Sequence, residues 1–246
     1  MRNARWLPAS AGGRRCLERS LAVALRGVHG IAVGYVAGMN VRVCIVQHGE
    51  KRRTPGDPGL TQIGRAQADV TARWLAHSER PAAVWSSPLR RALETAAPIA
   101  RELAVDVRAD SRLRERMNWD NPDVESLETF LEDWHAASTD RSHQPRSGDS
   151  STQAARRFLD ALEDLATTYL TGTVIVVSHG GVTVDALRTL LGDRQLGCKA
   201  PTLIDSGVPA CALTTLQRIG AGWTVRSIAA TDHLSRRSHA QPDVER

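Results

Sequence analysis

The sequence contains few aromatic residues, few cysteines and no long apolar run, and each shortage excludes a class of protein. Phe, Trp and Tyr together make up 4% of its 246 residues. The four cysteines form no CxxC pair and show no metal-ligand spacing with histidine, which argues against a disulfide scaffold and a zinc site. No stretch approaches the roughly 18 uninterrupted apolar residues that span a bilayer. We therefore predict a soluble protein of the reducing cytoplasm, without a membrane partner.

The positive charge of the chain is concentrated at its N-terminus. The formal net charge is +5, and residues 1–42 alone hold seven arginines and one glutamate, a net of +6. The rest of the chain therefore carries a net charge of −1. Because binding to a nucleic-acid backbone needs a basic surface on the folded domain, we expect no nucleic-acid partner.

Residues 1–38 do not show the pattern of a folded domain. Arg14 and Arg15 precede a short apolar stretch, as in a twin-arginine export signal, but Arg26 interrupts that stretch and no clear cleavage site follows. We expect a disordered tail or an extension from a wrongly assigned start codon. Met39 stands directly before the first strand pattern and would be a sensible true start.

From residue 41 onward, short β-branched runs alternate with helical periodicity. Strands are predicted at 41–46, 82–86, 105–107 and 173–177, helices at 61–77, 88–103, 124–137, 152–170 and 180–191, and a hairpin at 210–217 and 223–228. This order predicts an α/β fold, a three-layer αβα sandwich with a mostly parallel sheet. We expect a domain over 39–234 with a lid or insert at about 111–150, followed by a frayed tail at 235–246.

Two of the predicted strands end in the same dipeptide, His-Gly. The first runs into His48 and Gly49, and the strand at 173–177 runs through a serine into His179 and Gly180. In an open α/β sheet, ligands bind outside the carboxyl ends of the strands. The two histidines are therefore expected to converge on one ligand.

The chemistry around these histidines favours an anion over a metal ion. The strand at 82–86 feeds a helix start that carries Arg90 and Arg91, and free N–H groups at a helix N-terminus bind phosphate. The arginine guanidinium adds a planar fork that matches phosphate oxygens. No ring of carboxylates or cysteines accompanies the histidines, so we predict a phosphoryl ligand and no metal.

From about residue 41 to residue 228, the chain resembles the histidine phosphatase superfamily, the phosphoglycerate mutase-like enzymes, on its small-phosphatase branch. Four motifs carry the resemblance in order: QHGE at 47–50, LTQIGRAQA at 60–68, SSPLRRALETA at 86–96 and VSHGG at 177–181.

The resemblance implies a phosphoglycerate mutase-like fold and a role for each matching residue. His48 would be the nucleophile that becomes a phosphohistidine, Glu115 the acid that protonates the leaving oxygen, and His179 a donor to the phosphoryl oxygens. Phosphate-binding positions would be Gln47, Gly49, Arg91 and Gly180. The implied enzyme is a histidine acid-type phosphatase that acts on a small soluble phosphate ester and needs no cofactor.

One position departs from the family pattern, since Gln47 stands where the family has an arginine. Either Lys51, Arg52 or Arg53 in the adjacent loop supplies the missing charge, or the protein is a catalytically weak relative that binds a phospho-ligand. A phosphoglycerate-type mutase is the other alternative, although the residues around Glu115 lack the surroundings typical of mutases.

The substrate is not determined by these motifs. Trp119, Trp134 and His135 in the predicted lid are expected to select it. The sequence also leaves a homodimer open.

Overall fold

The computed structural model describes residues 40–78, 80–122 and 125–235. The predicted N-terminal extension at 1–38 lies outside the described residues, as does the predicted tail apart from Ser235. Within the described part of the chain, no helix is both long and apolar enough to cross a membrane.

The fold is organised around one six-stranded sheet. Its strands are β1 (Asn40–Gln47), β2 (Pro81–Ser86), β3 (Val107–Ala109), β4 (Thr171–Ser178), β5 (Leu213–Ile219) and β6 (Gly222–Ala230). They lie in the order β3-β2-β4-β1-β5-β6, with the first four parallel, β5 antiparallel to β1, and β6 antiparallel to β5. β1 and β4 pair in unbroken register over eight residues, from Asn40 opposite Thr171 to Gln47 opposite Ser178.

Helices cover both faces of this sheet, which confirms the predicted α/β architecture. They are α1 (Gln62–Ser78), α2 (Arg90–Leu103), α3 (Leu127–Thr139), α4 (Ser151–Tyr169), α5 (Gly180–Leu191), α6 (Asp193–Lys199), α7 (Leu203–Ser206) and α8 (Asp232–Ser235). Because side chains alternate along a strand, β1 and β4 supply apolar side chains to two cores. Ile45 packs in one core with Phe158 of α4, and Val46 packs in the other with Ile99 of α2.

Several predicted elements differ in their bounds from the structure. The third strand covers Val107–Ala109 instead of 105–107, because the turn that ends the preceding helix takes up the residues before it: Ala104 adopts a left-handed conformation and Val105 N–H donates to Ala100 O. The lid helix begins at Leu127, where Ser126 accepts from Thr129 N–H and caps it. The short helices α6 and α7 were not predicted, since they lack a full period of apolar residues.

Candidate active site

The pairing of β1 with β4 brings the two predicted histidines together. His48 and His179 follow the last paired residues of these strands, and His48 N–H donates to Ser178 O at 3.0 Å. Their ring centroids lie 5.2 Å apart, with the rings edge to face. The expectation that the two strand ends converge is therefore confirmed.

His48 is held as a neutral imidazole of defined tautomer. Its Nδ1 lies 2.8 Å from Gly49 O, which can only accept a hydrogen bond, so Nδ1 carries the proton and Nε2 keeps its lone pair. Burial, and next the positive charge of Arg91, lower the pKa of His48 to about 3. The side chain is 9% exposed and lines the main cavity.

Arg91 and His179 form a buried pair beside this nucleophile. Arg91 Nε donates to His179 Nδ1 at 3.2 Å, and His179 Nε2, which therefore carries the proton, lies 2.8 Å from Ser87 Oγ. Burial, followed by the charge of Arg91, lowers the pKa of His179 well below its usual value. Both ring nitrogens of His179 thus have protein partners, and in this arrangement the side chain orients Arg91.

The guanidinium of Arg91 keeps one donor for a ligand. Its Nη1 is buried and makes no hydrogen bond to any described residue, although Asp57 Oδ1 lies 3.8 Å away. A buried donor without a partner costs free energy unless a ligand satisfies it. This atom is therefore suited to an anionic oxygen.

Glu115 lies in the same cavity and is fixed by the start of α5. Its carboxylate accepts from Gly181 N–H at 2.9 Å and from Val182 N–H at 2.8 Å, and it also accepts from Arg116 N–H. Three backbone amides therefore hold the Glu115 carboxyl group in place in the cavity.

Carboxylates of the protein occupy some of the amides at the two helix N-termini where phosphate binding was predicted, whereas phosphate binding by Gly180 stays a prediction. Glu115 takes the second and third amides of α5, those of Gly181 and Val182, and Asp57 takes the Arg90 N–H of α2 at 2.9 Å with both oxygens. The chain fills both positions with its own carboxylates. The unpaired Nη1 of Arg91 remains as the donor for an anion.

Gly49 has a role that differs from the predicted one. Gly49 N–H donates to Thr95 Oγ1 at 3.0 Å, so it is not available to a phosphate. A methyl group on Gly49 would lie 2.5 Å from Gly64 O, which explains the glycine by close packing of the nucleophile loop on α1. At Gly180 a methyl group would meet only ordinary contacts, whereas on Gly181 it would lie 2.6 Å from both Glu115 Oε1 and Trp134 Cη2.

Gln47 is buried next to the nucleophile, with 8% of its surface exposed. Its Oε1 has no hydrogen-bond partner among the described residues. Of the three cationic residues in the following loop, Lys51 and Arg53 line the cavity. Partial burial and the charges of Arg91 and Arg53 lower the pKa of Lys51, as expected for a cation close to the phosphate position.

The cavity in front of these residues has a volume of about 430 Å³. Its lining comprises the polar residues His48, Lys51, Arg53, Thr54, Arg91, Glu115 and Asn118, with Gly56, Pro58, Met117, Trp119, Leu127, Phe130, Leu131 and Trp134. Trp119 and Trp134 therefore stand where a substrate-selecting role requires them. His135 does not line this cavity; it borders a shallow depression on α3, so the prediction for His135 is wrong.

A buried ion pair behind Glu115 was not predicted. Arg116 Nη1 lies 3.2 Å from Asp185 Oδ1, and the two side chains are 3% and 0% exposed. Arg116 also donates to Trp134 O, with its guanidinium 4.0 Å from the centroid of the Trp134 ring. Asp185 accepts from Ser151 Oγ at 2.6 Å. The pair joins α3, α4 and α5, and its partners are 69 residues apart in sequence.

The comparison with protein families agrees with this geometry. The model of the histidine phosphatase superfamily (branch 1) matches residues 43–231. The chain belongs to this superfamily. The matched segment begins in β1 and ends just after β6, so it contains both histidines, Arg91 and Glu115.

Curated relatives of this chain include a phosphatase, a bifunctional protein and a probable mutase. A metal-independent phosphoserine phosphatase of Arabidopsis thaliana is 31% identical over 210 residues, covering 78% of this chain and 83% of that protein. A bifunctional protein of Mycobacterium tuberculosis is 36% identical over 152 residues, covering 58% of this chain. That match covers only 42% of the mycobacterial protein, so the chain spans less than half of its length. A probable phosphoglycerate mutase of Yersinia pestis is 29% identical over 206 residues, which cover 79% of this chain and 95% of that protein.

Solved structures of phosphatases share the fold. A mycobacterial glucosyl-3-phosphoglycerate phosphatase in complex with VO3 is 25% identical, with a TM-score of 0.62 over 77% of this chain and 99% of the other. A phosphoglycerate mutase of Bacillus anthracis superposes with a TM-score of 0.63 at 16% identity, over 80% of this chain and 96% of the other, and supports the fold alone. The predicted superfamily and its phosphoglycerate mutase-like fold are confirmed.

Proposed function

We propose that the protein hydrolyses a small phosphate monoester through a phosphohistidine formed at Nε2 of His48. One observation carries the proposal: a neutral imidazole of fixed tautomer lies beside a buried guanidinium with an unpaired N–H. A nucleophile needs a free lone pair, and a phosphoryl group needs positive charge aimed at its oxygens.

The residues present account for each step of the reaction. The lone pair of His48 Nε2 attacks phosphorus, and the bond from phosphorus to the alcohol oxygen breaks as Glu115 donates a proton to that oxygen. In the second step Glu115 takes a proton from water, whose oxygen attacks phosphorus. The P–N bond then breaks, releasing inorganic phosphate and restoring the imidazole lone pair.

Charge on the transferring group is balanced by Arg91 and, in place of the usual arginine at position 47, by Lys51. Lys51 lines the cavity and lies within electrostatic reach of Arg91, whereas the Gln47 amide carries no charge. The proposed class is a histidine acid-type phosphatase, since a nucleophile with a pKa of about 3 stays unprotonated in acidic solution. A cytoplasmic location and the lack of a nucleic-acid partner stay predictions.

The test is hydrolysis of p-nitrophenyl phosphate with chelator present, by the wild type and by His48→Ala and Gln47→Arg. We expect turnover that survives chelator and falls at least about 10³-fold in His48→Ala. Rapid quenching of the wild type should trap a phosphoryl adduct that is labile to acid and stable to base, as a phosphohistidine is. Gln47→Arg should raise kcat/KM, because it adds a charged contact to the phosphoryl group.

Two results would contradict the proposal. Full activity in His48→Ala would remove His48 as the nucleophile. Wild-type protein that binds phosphate without turning over any ester, while Gln47→Arg turns over, would favour the phospho-ligand-binding alternative.

A further inference from the structure

The wall of the cavity opposite the nucleophile is apolar. Met117, Trp119, Leu127, Phe130, Leu131 and Trp134 form this apolar wall. Three of them belong to the ten Phe, Trp and Tyr residues of a chain in which aromatic residues are scarce. Large apolar side chains that face a cavity favour a ligand that removes them from water.

The wall begins where the leaving group of the proposed reaction must lie. Gly181 is in contact with both the carboxylate of Glu115 and the ring of Trp134, since a methyl group there would be 2.6 Å from each. An alcohol oxygen protonated by Glu115 therefore directs its organic part along Trp134. Phe130 continues this surface, with its ring centroid 6.1 Å from that of Trp134.

Two side-chain donors that border this wall are engaged with the protein itself. Trp119 Nε1 donates to Glu125 O at 2.7 Å, and Asn118 Nδ2 donates to Gly56 O at 2.7 Å. A substrate rich in hydroxyl groups needs partners for them, because unpaired buried polar groups are costly. The cationic residues Lys51 and Arg53 belong to the phosphate side, where their charges act on one another and on Arg91.

We propose that the substrate is the phosphate monoester of an apolar alcohol, with an aromatic ring seated against Trp134 and Phe130. The proposal rests on the proposed function, because it takes Glu115 as the acid that meets the leaving oxygen. It differs from the polar substrates named for the relatives, phosphoserine and glucosyl-3-phosphoglycerate.

The experiment compares phenethyl phosphate with glycerol phosphate. Both are esters of primary alcohols, so their leaving groups have similar intrinsic reactivity and the difference reports the pocket. We expect kcat/KM for phenethyl phosphate to exceed that for glycerol phosphate by about 10- to 100-fold, mainly through KM. Equal values, or a preference for glycerol phosphate or phosphoserine, would overturn the proposal while leaving the phosphatase reaction intact.

Matched variants locate the preference in the apolar wall. Phe130→Asn and Leu131→Asn should each lower the ratio of kcat/KM for phenethyl phosphate to kcat/KM for glycerol phosphate about 10-fold. Ile63→Asn is the control, since Ile63 is an exposed helical residue that does not line the cavity. A preference that survives both wall variants would contradict the assignment.

A binding measurement keeps the inference testable apart from turnover. Phenethylphosphonate cannot be hydrolysed, and calorimetry should show that it binds the wild type at least about 10-fold more tightly than hydroxyethylphosphonate. Equal affinities would reject the apolar substrate class. Failure of all esters to turn over, with this binding difference present, would instead reject the proposed reaction.

Discussion

At the strand ends, His48, Arg91 and His179 are at most 9% exposed and most of their polar atoms have protein partners. Across the cavity, Leu127 and Leu131 are 48% and 53% exposed. Backbone pairing and hydrogen bonds therefore define the first region, whereas the second consists of apolar side chains, four of the six on α3. The fold fixes the positions of the residues that would carry out the chemistry. The side chains of the apolar wall, which would select the leaving group, can be substituted at little cost to stability.

The largest effect is expected where the two regions are tied together, at the buried Arg116–Asp185 pair. Asp185→Ala leaves the Arg116 charge buried without its carboxylate, so the free energy of unfolding should fall by about 3–5 kcal/mol in urea titration. Asp69→Ala removes an exposed carboxylate paired with Arg101 at 3.5 Å and should cost less than about 1 kcal/mol. Similar losses in both variants would show that the buried pair does not join the regions.

The second largest effect is expected on kcat, in the variant Gly181→Ala. Gly181→Ala places a methyl group against Glu115 and Trp134, which must move, and a displacement of about 1 Å in a proton donor costs about 10²-fold in kcat. Gly197→Ala is the control, because a methyl group at this helical glycine meets nothing within 4 Å. Steady-state kinetics on p-nitrophenyl phosphate measures both, and an unchanged kcat in Gly181→Ala would remove Glu115 from the reaction.

Acid should lower the free energy of unfolding through the two buried histidines of the strand-end region. The pKa of His48 and that of His179 are lowered by burial, so the unfolded chain binds more protons than the folded chain below pH about 6.5. Each histidine then removes about 1.4 kcal/mol of stability per pH unit as the pH falls. Asp185, whose pKa is raised to about 6, offsets one of them between pH about 6 and 4.

Urea titrations at several pH values check this sign. Stability should be level above pH about 7 and should decline below it, and His48→Gln should reduce the slope. Stability that rises on acidification from neutral pH would mean that the histidines are not buried as neutral groups.

The smallest effect is expected in the wall. Leu131→Asn changes a half-exposed side chain and should alter the free energy of unfolding by no more than about 0.5 kcal/mol, as for most surface substitutions. Phe158→Ala, in the fully buried core on α4, should lose about 3–5 kcal/mol. Chemical denaturation compares the two, and a large loss in Leu131→Asn would make the wall part of the core.

The sequence was sufficient to predict the sheet, the family and the meeting of the two histidines. Strand patterns and the rule that ligands bind at carboxyl strand ends depend on local residues, and those placed His48 and His179 correctly. The phosphate-binding residues were predicted less well. Whether a backbone N–H is free depends on which distant side chain folds onto it, and Thr95 takes the amide of Gly49 from 46 residues away.

Long-range pairings account for the other differences. Glu115 was identified from its motif, but its placement on the amides of α5 brings together residues 66 and 67 positions apart. The Arg116–Asp185 pair likewise joins residues that are far apart in sequence, 69 positions from one another. His135 was misassigned because it is the next residue after Trp134 on α3 and borders the outer face of that helix, whereas Trp134 lines the cavity. The first residue of α3 was also predicted too early.

The unbroken eight-residue pairing of β1 with β4 also limits how this protein can change in length. One inserted residue in either strand would move its histidine by about 3.3 Å and turn the following side chains to the opposite face. Insertions and deletions are therefore excluded from this ladder but tolerated in the loop that joins α3 to α4, where several side chains are exposed. Chain length can change there during evolution, while the separation of the two histidines stays the same.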